Sequence, residues 1–376
     1  MSTQFHEAVA GLTAWPVLPH LSREHAPMYG EYDILSVDPS EPAVSEELAG
    51  FLKHFDLKFD ERVEYTIVVR DRRGAIIGTG SFAGDVLMTI AVDPAQQGEG
   101  LTAAIVNNLI QEQARRGIMH RLIFTRPASA KFFVSLGFRE IARAEPYAVL
   151  LEGGLHGLDR YLERIRQAVS HLPPGRAAVV VNCNPFTRGH LGLIETAAAR
   201  AAGVVVFVVR EDRSLFPFRD RFNLVQRGTS HLANVAVVDT DRYMVSAATF
   251  PTYFTREEHL ADAQAHLDVA LFAQKIAPAL DIRMRFVGEE PYCPVTEAYN
   301  RAMREILPRW GIAFEMIPRF TTPDGRIISA STVRECIRKN DWDALRSLVP
   351  DVTWAYLRAP EQATLLEKIR KSTSRH

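Results

Sequence analysis

The sequence predicts an α/β protein built from two domains, and three observations support this fold class. The chain has 376 residues, a length that favours two or three domains over one. In the second half, short apolar runs alternate with segments of helical periodicity, which is the pattern of a parallel sheet covered by helices. Between the halves, Pro173-Pro174-Gly175 stops a helical segment and marks a boundary.

The first domain is predicted to span residues 1–154. Residues 1 to about 45 are expected to be irregular because they are rich in Pro and Gly. Strands are predicted at residues 64–70, 75–80, 86–92 and 121–125, and a turn at residues 71–74 makes a hairpin of the first two. A helix at residues 101–117, a short helix after the strand at 121–125 and a last strand complete an α/β domain.

The second domain is predicted to span residues 176–350, between a linker helix in residues 155–175 and a C-terminal tail at residues 351–376. Its predicted strands are 177–183, 204–210, 235–239, 283–287 and 313–317. Its predicted helices are about 189–202, 218–231, 256–277, 294–307 and 331–338. This alternation predicts a Rossmann-like, doubly wound sheet, which binds ligands at the carboxyl ends of its strands.

Composition and charge narrow the class of protein. The 44 basic and 45 acidic residues nearly cancel, so nothing favours bulk attraction to nucleic acid or to a membrane. The longest strongly apolar runs are strand-sized, and the N-terminus lacks the basic and apolar segments of a secretory signal. Three widely separated cysteines predict neither a disulfide framework nor a metal site, and they favour a cytoplasmic location.

The stretch AVVVNCNPFTRGHLGLIE, residues 178–195, contains the first candidate site. An apolar strand ends in polar residues, and a helix begins near Gly189-His190, where a doubly wound sheet binds phosphate. Gly189 would allow close backbone approach, and His190 is expected to be a charged donor to a phosphate. The structural alternative is that Thr187 and His190 only cap or pack the helix start.

A second helix start, far downstream, carries a related set of polar residues. The segment ISASTVR, residues 328–334, combines three hydroxyls with an arginine one turn into the helix. Hydroxyls and free amides at a helix start form an anion site, and the arginine fork suits phosphate, although simple capping is the alternative. Together the two segments resemble the nucleotidylyltransferase superfamily, whose Thr/His-x-Gly-His and Ile-Ser-x-Ser-Thr-x-x-Arg motifs grip the triphosphate of ATP.

Five longer blocks lie between Ala177 and Lys339, and they read VVNCNPFTRGHLGLIE, VVREDRSLFPFRDR, VSAATFPTYF, RFVGEEPYCPVTEAYNRAM and ISASTVR. These blocks occur in the same order in the citrate lyase ligases, which narrows the resemblance to that family. The resemblance implies a ligase that makes acetyl-adenylate and pyrophosphate from acetate and ATP, with Mg²⁺ sharing the phosphate charge. The acetyl group would then pass to the thiol of a phosphoribosyl-dephospho-CoA group on the acyl-carrier (gamma) subunit of citrate lyase.

The resemblance also implies roles for individual residues. His190 and Arg334 would be catalytic, stabilising the triphosphate and the pentacoordinate α-phosphorus, and no protein ligand to a metal is expected. The implied ATP-binding set is Asn182, Asn184, Pro185, Phe186, Thr187, Gly189, His190, Arg210, Gly288, Glu289, Ser329, Ser331, Thr332 and Arg334.

Further residues are open between a binding role and a structural one. Arg213, Arg219 and Arg221 could add phosphate contacts or be ordinary surface charges. Ser246, Thr249 and Phe250 could border the acetate pocket or simply pack.

The first domain contains two motifs of its own. The strand VLMTIAV is followed by a Gly-containing loop and a helix, and the segment AKFFVSLGF comes later. In these two motifs the domain resembles the GNAT acetyltransferases. In the family this loop holds the pyrophosphate of CoA through backbone amides, so Gln97, Gly98 and Gly100 form a possible CoA-type loop. Ala95 departs from the family, which usually has Gln or Arg there. The domain is expected either to bind CoA-like groups, for example the carrier's arm, or to be purely structural.

Four other functions stay open from the sequence. The first is the equivalent acetate ligase for the malonate decarboxylase carrier. The second is a nucleotidylyltransferase that transfers AMP to a phosphorylated coenzyme precursor. The third is an N-acetyltransferase whose second half only binds nucleotide. The fourth is an acetate ligase acting on a tRNA cytidine, which the neutral charge and the GNAT-like domain argue against.

Overall fold

The computed structural model describes residues 32–60, 62–96, 100–210, 214–244, 250, 253, 260–289 and 294–372. The first domain contains a mixed sheet of β1 Asp33–Val37, β2 Tyr65–Arg70, β3 Ile76–Ala83, β4 Val86–Val92, β5 His120–Thr125, β6 Arg139–Ala144 and β7 Ala148–Gly154. Its helices are α1 Pro42–Lys53, α2 Leu101–Arg115 and α3 Ala130–Ser135. Strand β1 and the start of α1 lie in residues that the sequence analysis expected to be irregular, and that expectation is wrong from Asp33 onward.

The strand order of the first sheet is β1-β2-β3-β4-β5-β7-β6, and only β4 and β5 run parallel to each other. Their ladder contains two pairs, Val86 with Leu122 and Leu87 with Ile123. Beyond these pairs the two strands diverge toward their carboxyl ends, which opens the sheet at this point.

The second domain is built on five parallel strands, β8 Arg176–Val181, β9 Val204–Val208, β10 Val235–Asp239, β11 Ile282–Gly288 and β12 Ala313–Ile317. Their order is β10-β9-β8-β11-β12, so the chain changes direction across the sheet between β8 and β11. Every residue of β9 is buried, as expected for a strand covered on both faces. The covering helices are α4 Leu158–Ala168, α5 Arg188–Arg200, α6 Phe218–Gly228, α7 Leu260–Leu271, α8 Ala277–Ala279, α9 Pro294–Ile306 and α10 Ala330–Lys339.

The segment expected as a linker helix is part of the packed structure. Helix α4 buries Leu158, Tyr161, Leu162 and Ile165, which recur at helical spacing. The Tyr161 hydroxyl also donates to the carbonyl oxygen of Asp239, at the end of β10, over 3.2 Å. Helix α4 therefore packs against the second sheet.

The segment expected as a C-terminal tail is also folded. After α10 come α11 Trp342–Leu348, α12 Asp351–Arg358 and α13 Ala363–Lys371. Leu357, Leu366 and Ile369 are buried in one apolar cluster with Val333 and Ile337 of α10. These helices therefore fix the position of α10, the helix that carries the second candidate phosphate segment.

The two domains share one apolar core. Phe124 and Leu150 of the first sheet belong to the same buried cluster as Phe207 of the second sheet and Leu271 of α7. A hydrogen bond of 2.6 Å from the Tyr243 hydroxyl to Glu152 adds a polar contact between the domains. The α/β fold class is confirmed, with a mixed sheet in the first domain and a parallel, doubly wound sheet in the second. Within the described part of the chain, no helix combines the length and apolarity that a membrane crossing requires.

Candidate nucleotide site

The turn after β8 contains the first group of predicted site residues. Cys183 has a left-handed φ of +56°, and the Asn184–Pro185 peptide bond is cis. Phe186 is fully buried and anchors the turn in the core of the second sheet. Helix α5 then begins, so its first backbone amides lie at the carboxyl edge where the sheet changes direction between β8 and β11.

His190 takes part in the N-terminal cap of α5. The backbone N–H of Thr187 donates to Nδ1 of His190 over 3.1 Å, and the Thr187 hydroxyl accepts the backbone N–H of His190 over 3.3 Å. Because Nδ1 accepts a hydrogen bond, the proton of the neutral ring lies on Nε2.

The charge of His190 differs from the sequence-based expectation. Burial lowers the pKa of His190 to about 4, so the ring is neutral near pH 7. The expectation of a charged donor is therefore wrong, and His190 is a neutral donor through Nε2. Capping and phosphate binding are compatible roles for this residue, because they use different ring nitrogens.

The start of α10 gathers the hydroxyls of the second segment. Ser329 is the N-cap, and its Oγ accepts the backbone N–H of Thr332 over 3.1 Å. The same Oγ lies 2.8 Å from the hydroxyl oxygens of both Ser331 and Thr332. Three hydroxyls and the first amides of the helix therefore occupy one small region, which is the arrangement that an anion site needs.

The two helix starts are in direct contact. A Cβ atom added to Gly189 would lie 2.9 Å from the carbonyl oxygen of Ile328, so only glycine allows this approach. The Arg334 side chain is 4% exposed, and its Nη1 donates to the carbonyl oxygen of Asn184. Burial lowers the pKa of Arg334 to about 10, which leaves the guanidinium positive at neutral pH. The fold thus brings together the two segments that the sequence analysis paired.

Asn182 and Asn184 hold the turn in place. The side-chain oxygen of Asn184 accepts the backbone N–H of Phe216 over 3.1 Å. Nη1 of Arg221 donates to the backbone and side-chain oxygens of Asn182, over 2.7 and 2.8 Å, and to the carbonyl oxygen of Val209 over 2.8 Å. Arg221 is fully buried. The alternatives of a surface charge or a phosphate contact are therefore wrong for Arg221, which ties together the ends of β8 and β9.

Three other predicted ATP-binding residues lie at the same carboxyl edge. Arg210 follows β9 and is exposed, with its guanidinium 5.4 Å from the centre of the Phe218 ring. Gly288 ends β11, and the backbone N–H of the exposed Glu289 donates to the carbonyl oxygen of Ile317 over 2.9 Å. Because parallel strands end on one side of a sheet, these residues face the region of the two helix starts, and their contact with ATP stays a prediction.

The remaining predicted residues divide into two groups. Gln97, Gly98, Arg213, Ser246 and Thr249 lie outside the described residues, while Arg219 is exposed on α6. Phe250 is buried, and its ring packs edge-on against Phe124 of β5 with 5.7 Å between ring centres. The packing alternative therefore holds for Phe250, at the contact between the domains. Gly100 is the N-cap of α2, with a φ of +76°.

The assembled site can bind a polyphosphate and stabilise negative charge. Its donors are the Nε2–H of His190, the Arg334 guanidinium, the hydroxyls at α10 and the first amides of two helices. Fixed donors of this kind lower the barrier of a phosphoryl-centred reaction, because they need no reorganisation as charge develops.

Two family models match the chain. The model described as the citrate lyase ligase C-terminal domain matches residues 176–357, and the model of the GNAT acetyltransferase family matches residues 30–138. The first match contains both helix starts of the candidate site, and the second contains the diverging strands β4 and β5.

Whole-chain relatives extend these matches. The chain is 38% identical to the citrate (pro-3S)-lyase ligase of Klebsiella pneumoniae over 318 residues, which cover 83% of this chain and 92% of the relative. It is 35% identical to the protein of that name from Escherichia coli K12 over 353 residues, covering 92% and 98%. A shorter match, 40% over 57 residues, is to a phosphopantetheine adenylyltransferase of Corynebacterium efficiens and covers 14% of this chain and 36% of that protein.

Proposed function

We propose that this chain, which belongs to the citrate lyase ligase family, activates acetate with ATP and transfers the acetyl group to the thiol of the citrate lyase acyl carrier. One observation carries the ATP-dependent step. The helix starts at His190 and Ser329 meet at one sheet edge, and the buried, positive Arg334 of α10 donates to Asn184 in the turn after β8.

In the first step, a carboxylate oxygen of acetate attacks the α-phosphorus of ATP. The bond between the α-phosphorus and the bridging oxygen of pyrophosphate breaks, giving acetyl-adenylate and pyrophosphate. Acetate is already ionised at neutral pH, so the step needs no general base, and catalysis rests on positioning and charge stabilisation. His190, donating through Nε2, and Arg334 supply that stabilisation, and Ser329, Ser331 and Thr332 hold phosphate oxygens.

In the second step, the carrier thiol attacks the carbonyl carbon of acetyl-adenylate. The bond between that carbon and the AMP oxygen breaks, a thioester and AMP form, and the thiol proton passes to solvent. The thiol belongs to the phosphoribosyl-dephospho-CoA arm of the carrier subunit. The names of the full-length relatives favour the citrate lyase carrier over the malonate decarboxylase carrier.

Mg²⁺ fits this site as a companion of ATP. Among the residues that the structure describes, no group of three or more His, Cys, Asp and Glu side chains could hold a metal. Mg²⁺ is commonly bound through substrate phosphates and retained waters. The hydroxyl and amide donors of the site would bind the other phosphate oxygens of such a complex. When bound, it would neutralise part of the triphosphate charge.

The decisive experiment is exchange of labelled pyrophosphate into ATP, measured with and without acetate. We expect exchange only when acetate is present, because the reverse of the first step needs acetyl-adenylate. Exchange that depends on a phosphorylated acceptor such as phosphopantetheine, without acetate, would instead support an adenylyltransferase, as the short match to that enzyme class suggests. Transfer of labelled acetyl to purified citrate lyase and malonate decarboxylase carriers then identifies the second substrate.

A further inference from the structure

Glu152, on β7 of the first domain, is the centre of a buried polar cluster where the two domains meet. Its Oε1 accepts the Tyr243 hydroxyl over 2.6 Å and the backbone N–H of Leu158 over 2.8 Å, and it lies 2.8 Å from Nε2 of His120. Nη2 of Arg139 donates to the other carboxylate oxygen over 3.1 Å. Burial alone would raise the pKa of Glu152, but these hydrogen bonds lower it to about 2. The carboxylate is therefore negative at neutral pH and bound from several elements at once.

A second carboxylate of the first domain binds the neighbouring residue of the same connection. Asp85, in the turn between β3 and β4, forms an ion pair with Arg242. Its Oδ2 lies 3.2 Å from Nδ1 of His120, and Nη1 of Arg242 lies 3.0 Å from the same nitrogen. His120 thus lies between the two carboxylates. The first domain therefore contacts two successive residues of the second domain, Arg242 and Tyr243.

The cluster fixes position more than it adds cohesion. The domains already share an apolar core, which includes Phe124 and Phe207. Burying a carboxylate costs solvation free energy, and its hydrogen bonds offset that cost only when their geometry is good. The Tyr243 ring is fully buried and packs 4.9 Å, between ring centres, from Tyr161 of α4. Its hydroxyl is therefore directed at Glu152 with little freedom to move.

Tyr243 ends a tight turn at the carboxyl end of β10. Its backbone N–H donates to the carbonyl oxygen of Thr240 over 3.0 Å, and the backbone N–H of Asp241 donates to the Asp239 carboxylate over 2.9 Å. Arg164 of α4 binds both oxygens of that carboxylate, over 2.6 and 3.0 Å. The turn is thus held by α4 at its start and by the first domain at its end.

The same turn contacts Arg210, a predicted ATP-binding residue. Thr240 is fully buried, and its hydroxyl oxygen accepts the backbone N–H of Arg210 over 3.0 Å. The Arg210 side chain is exposed at the carboxyl edge of the sheet, just beyond the end of β9. Because Thr240 is hydrogen-bonded to both Tyr243 and Arg210, a displacement of Tyr243 would shift the backbone that carries Arg210.

From this chain of contacts we infer that Glu152 and Tyr243 are positioning residues for adenylation, through which the first domain sets the place of Arg210 at the triphosphate. The inference rests on the proposed function, because it takes Arg210 as a ligand of ATP. Neither positioning residue belongs to the candidate nucleotide site. Their loss should therefore weaken the binding of ATP and leave the chemical step largely intact.

Tyr243→Phe tests the role because it removes the hydroxyl that reaches Glu152 and keeps the packed ring. We expect the KM for ATP in acetate-dependent pyrophosphate exchange to rise about 3- to 10-fold, the effect of losing one hydrogen bond, with the maximal rate within about 2-fold of wild type. Glu152→Ala should raise this KM further. Glu152→Gln keeps an oxygen that accepts the Tyr243 hydroxyl, so it should restore most of the wild-type KM.

Tyr253→Phe is the matched control for the loss of a hydrogen bond between the domains. The Tyr253 hydroxyl, further along the same connection, donates to the carbonyl oxygen of Phe124 over 2.5 Å. We expect Tyr253→Phe to lower the melting temperature about as much as Tyr243→Phe does, without a change in the KM for ATP. A double mutant supplies the second readout. In an Arg210→Ala background, Tyr243→Phe should raise the KM no further, because both changes act through one contact.

The possible results are separable. An unchanged KM for ATP in Tyr243→Phe would overturn the inference, and so would an equal rise in Tyr253→Phe. A rise that persists in full in the Arg210→Ala background would also overturn it. Absence of acetate-dependent exchange in the wild-type protein would instead refute the proposed ligase function. Calorimetric titration with ATP then still tests the positioning role, because it compares the same variants without turnover.

Discussion

The two domains each place a glycine beside the start of a helix that follows a sheet strand, but the physical reason for the glycine differs. At Gly100 a Cβ atom would meet nothing within 4 Å, and the backbone has a left-handed φ of +76°. At Gly189 a Cβ atom would lie 2.9 Å from the carbonyl oxygen of Ile328. Gly100 is therefore required by its own backbone conformation, whereas Gly189 is required by a distant segment of the chain.

This difference separates a local feature from a long-range one. The turn before α5 is held by Arg334 at Asn184, by Arg221 at Asn182 and by the cap between Thr187 and His190. The gap between β4 and β5, by contrast, is open over most of its length. We therefore expect adenylation to depend on small displacements at the turn after β8.

The largest expected effect comes from removing His190, whose Nε2 is a donor at the turn after β8. His190→Ala deletes the Nε2 donor and part of the cap of α5, and loss of one preorganised donor to a developing charge costs about 10²- to 10³-fold in rate. Acetate-dependent pyrophosphate exchange measures this loss. His231→Ala is the control, because His231 is exposed and pairs with Glu195 on the surface of the same domain. Normal exchange by His190→Ala would show that the assigned role is wrong.

The two glycines give the next largest effect, and they test the comparison directly. Gly189→Ala places a methyl group against the Ile328 carbonyl and must separate the two helix starts, so we expect exchange to fall about 10- to 100-fold. Gly100→Ala should cost about 1–2 kcal/mol of stability through its left-handed backbone and leave exchange unaltered. Exchange rates and urea unfolding of both variants provide the measurements. Equal exchange rates would remove the distinction between the two glycines.

The sequence was informative where a local pattern decides the structure. The apolar run at residues 204–210 was predicted as a strand, and β9 is a strand in which every residue is buried, because a parallel sheet covered on both faces needs uninterrupted apolar residues. The pairing of the segments around His190 and Ser329 was inferred from resemblance, and the fold places them in contact. Helices α12 and α13 were missed, because the segment was taken for a tail although its apolar residues recur at helical spacing.

Charge and burial of single side chains were less accessible from sequence. Arg221 was considered a surface or phosphate-binding residue, yet it lies at helical spacing between Phe218 and Val225 on the inner face of α6. That spacing was the available signal. The neutral state of His190 had no such signal, because it depends on burial by segments distant in the chain and on the cap formed with Thr187.

The last expected effect is a change of stability with pH, and it tests how closely the turn after β8 is packed around His190. The folded protein keeps this ring neutral down to a pKa of about 4, while the unfolded chain binds a proton near the ordinary value of 6.5. Between these values the unfolded state holds more protons, so the free energy of unfolding should fall as the pH is lowered through this range, by at most about 1.4 kcal/mol per pH unit.

His190→Gln removes the titrating group. Urea unfolding of both proteins at several pH values measures the effect. As the pH falls, the free energy of unfolding of the wild type should decrease more than that of His190→Gln. His231→Gln, on the surface, should follow the wild-type curve more closely. Parallel curves for wild type and His190→Gln across this pH range would mean that the pKa of His190 is not lowered in the folded protein, which would contradict the close packing of the ring in the turn after β8.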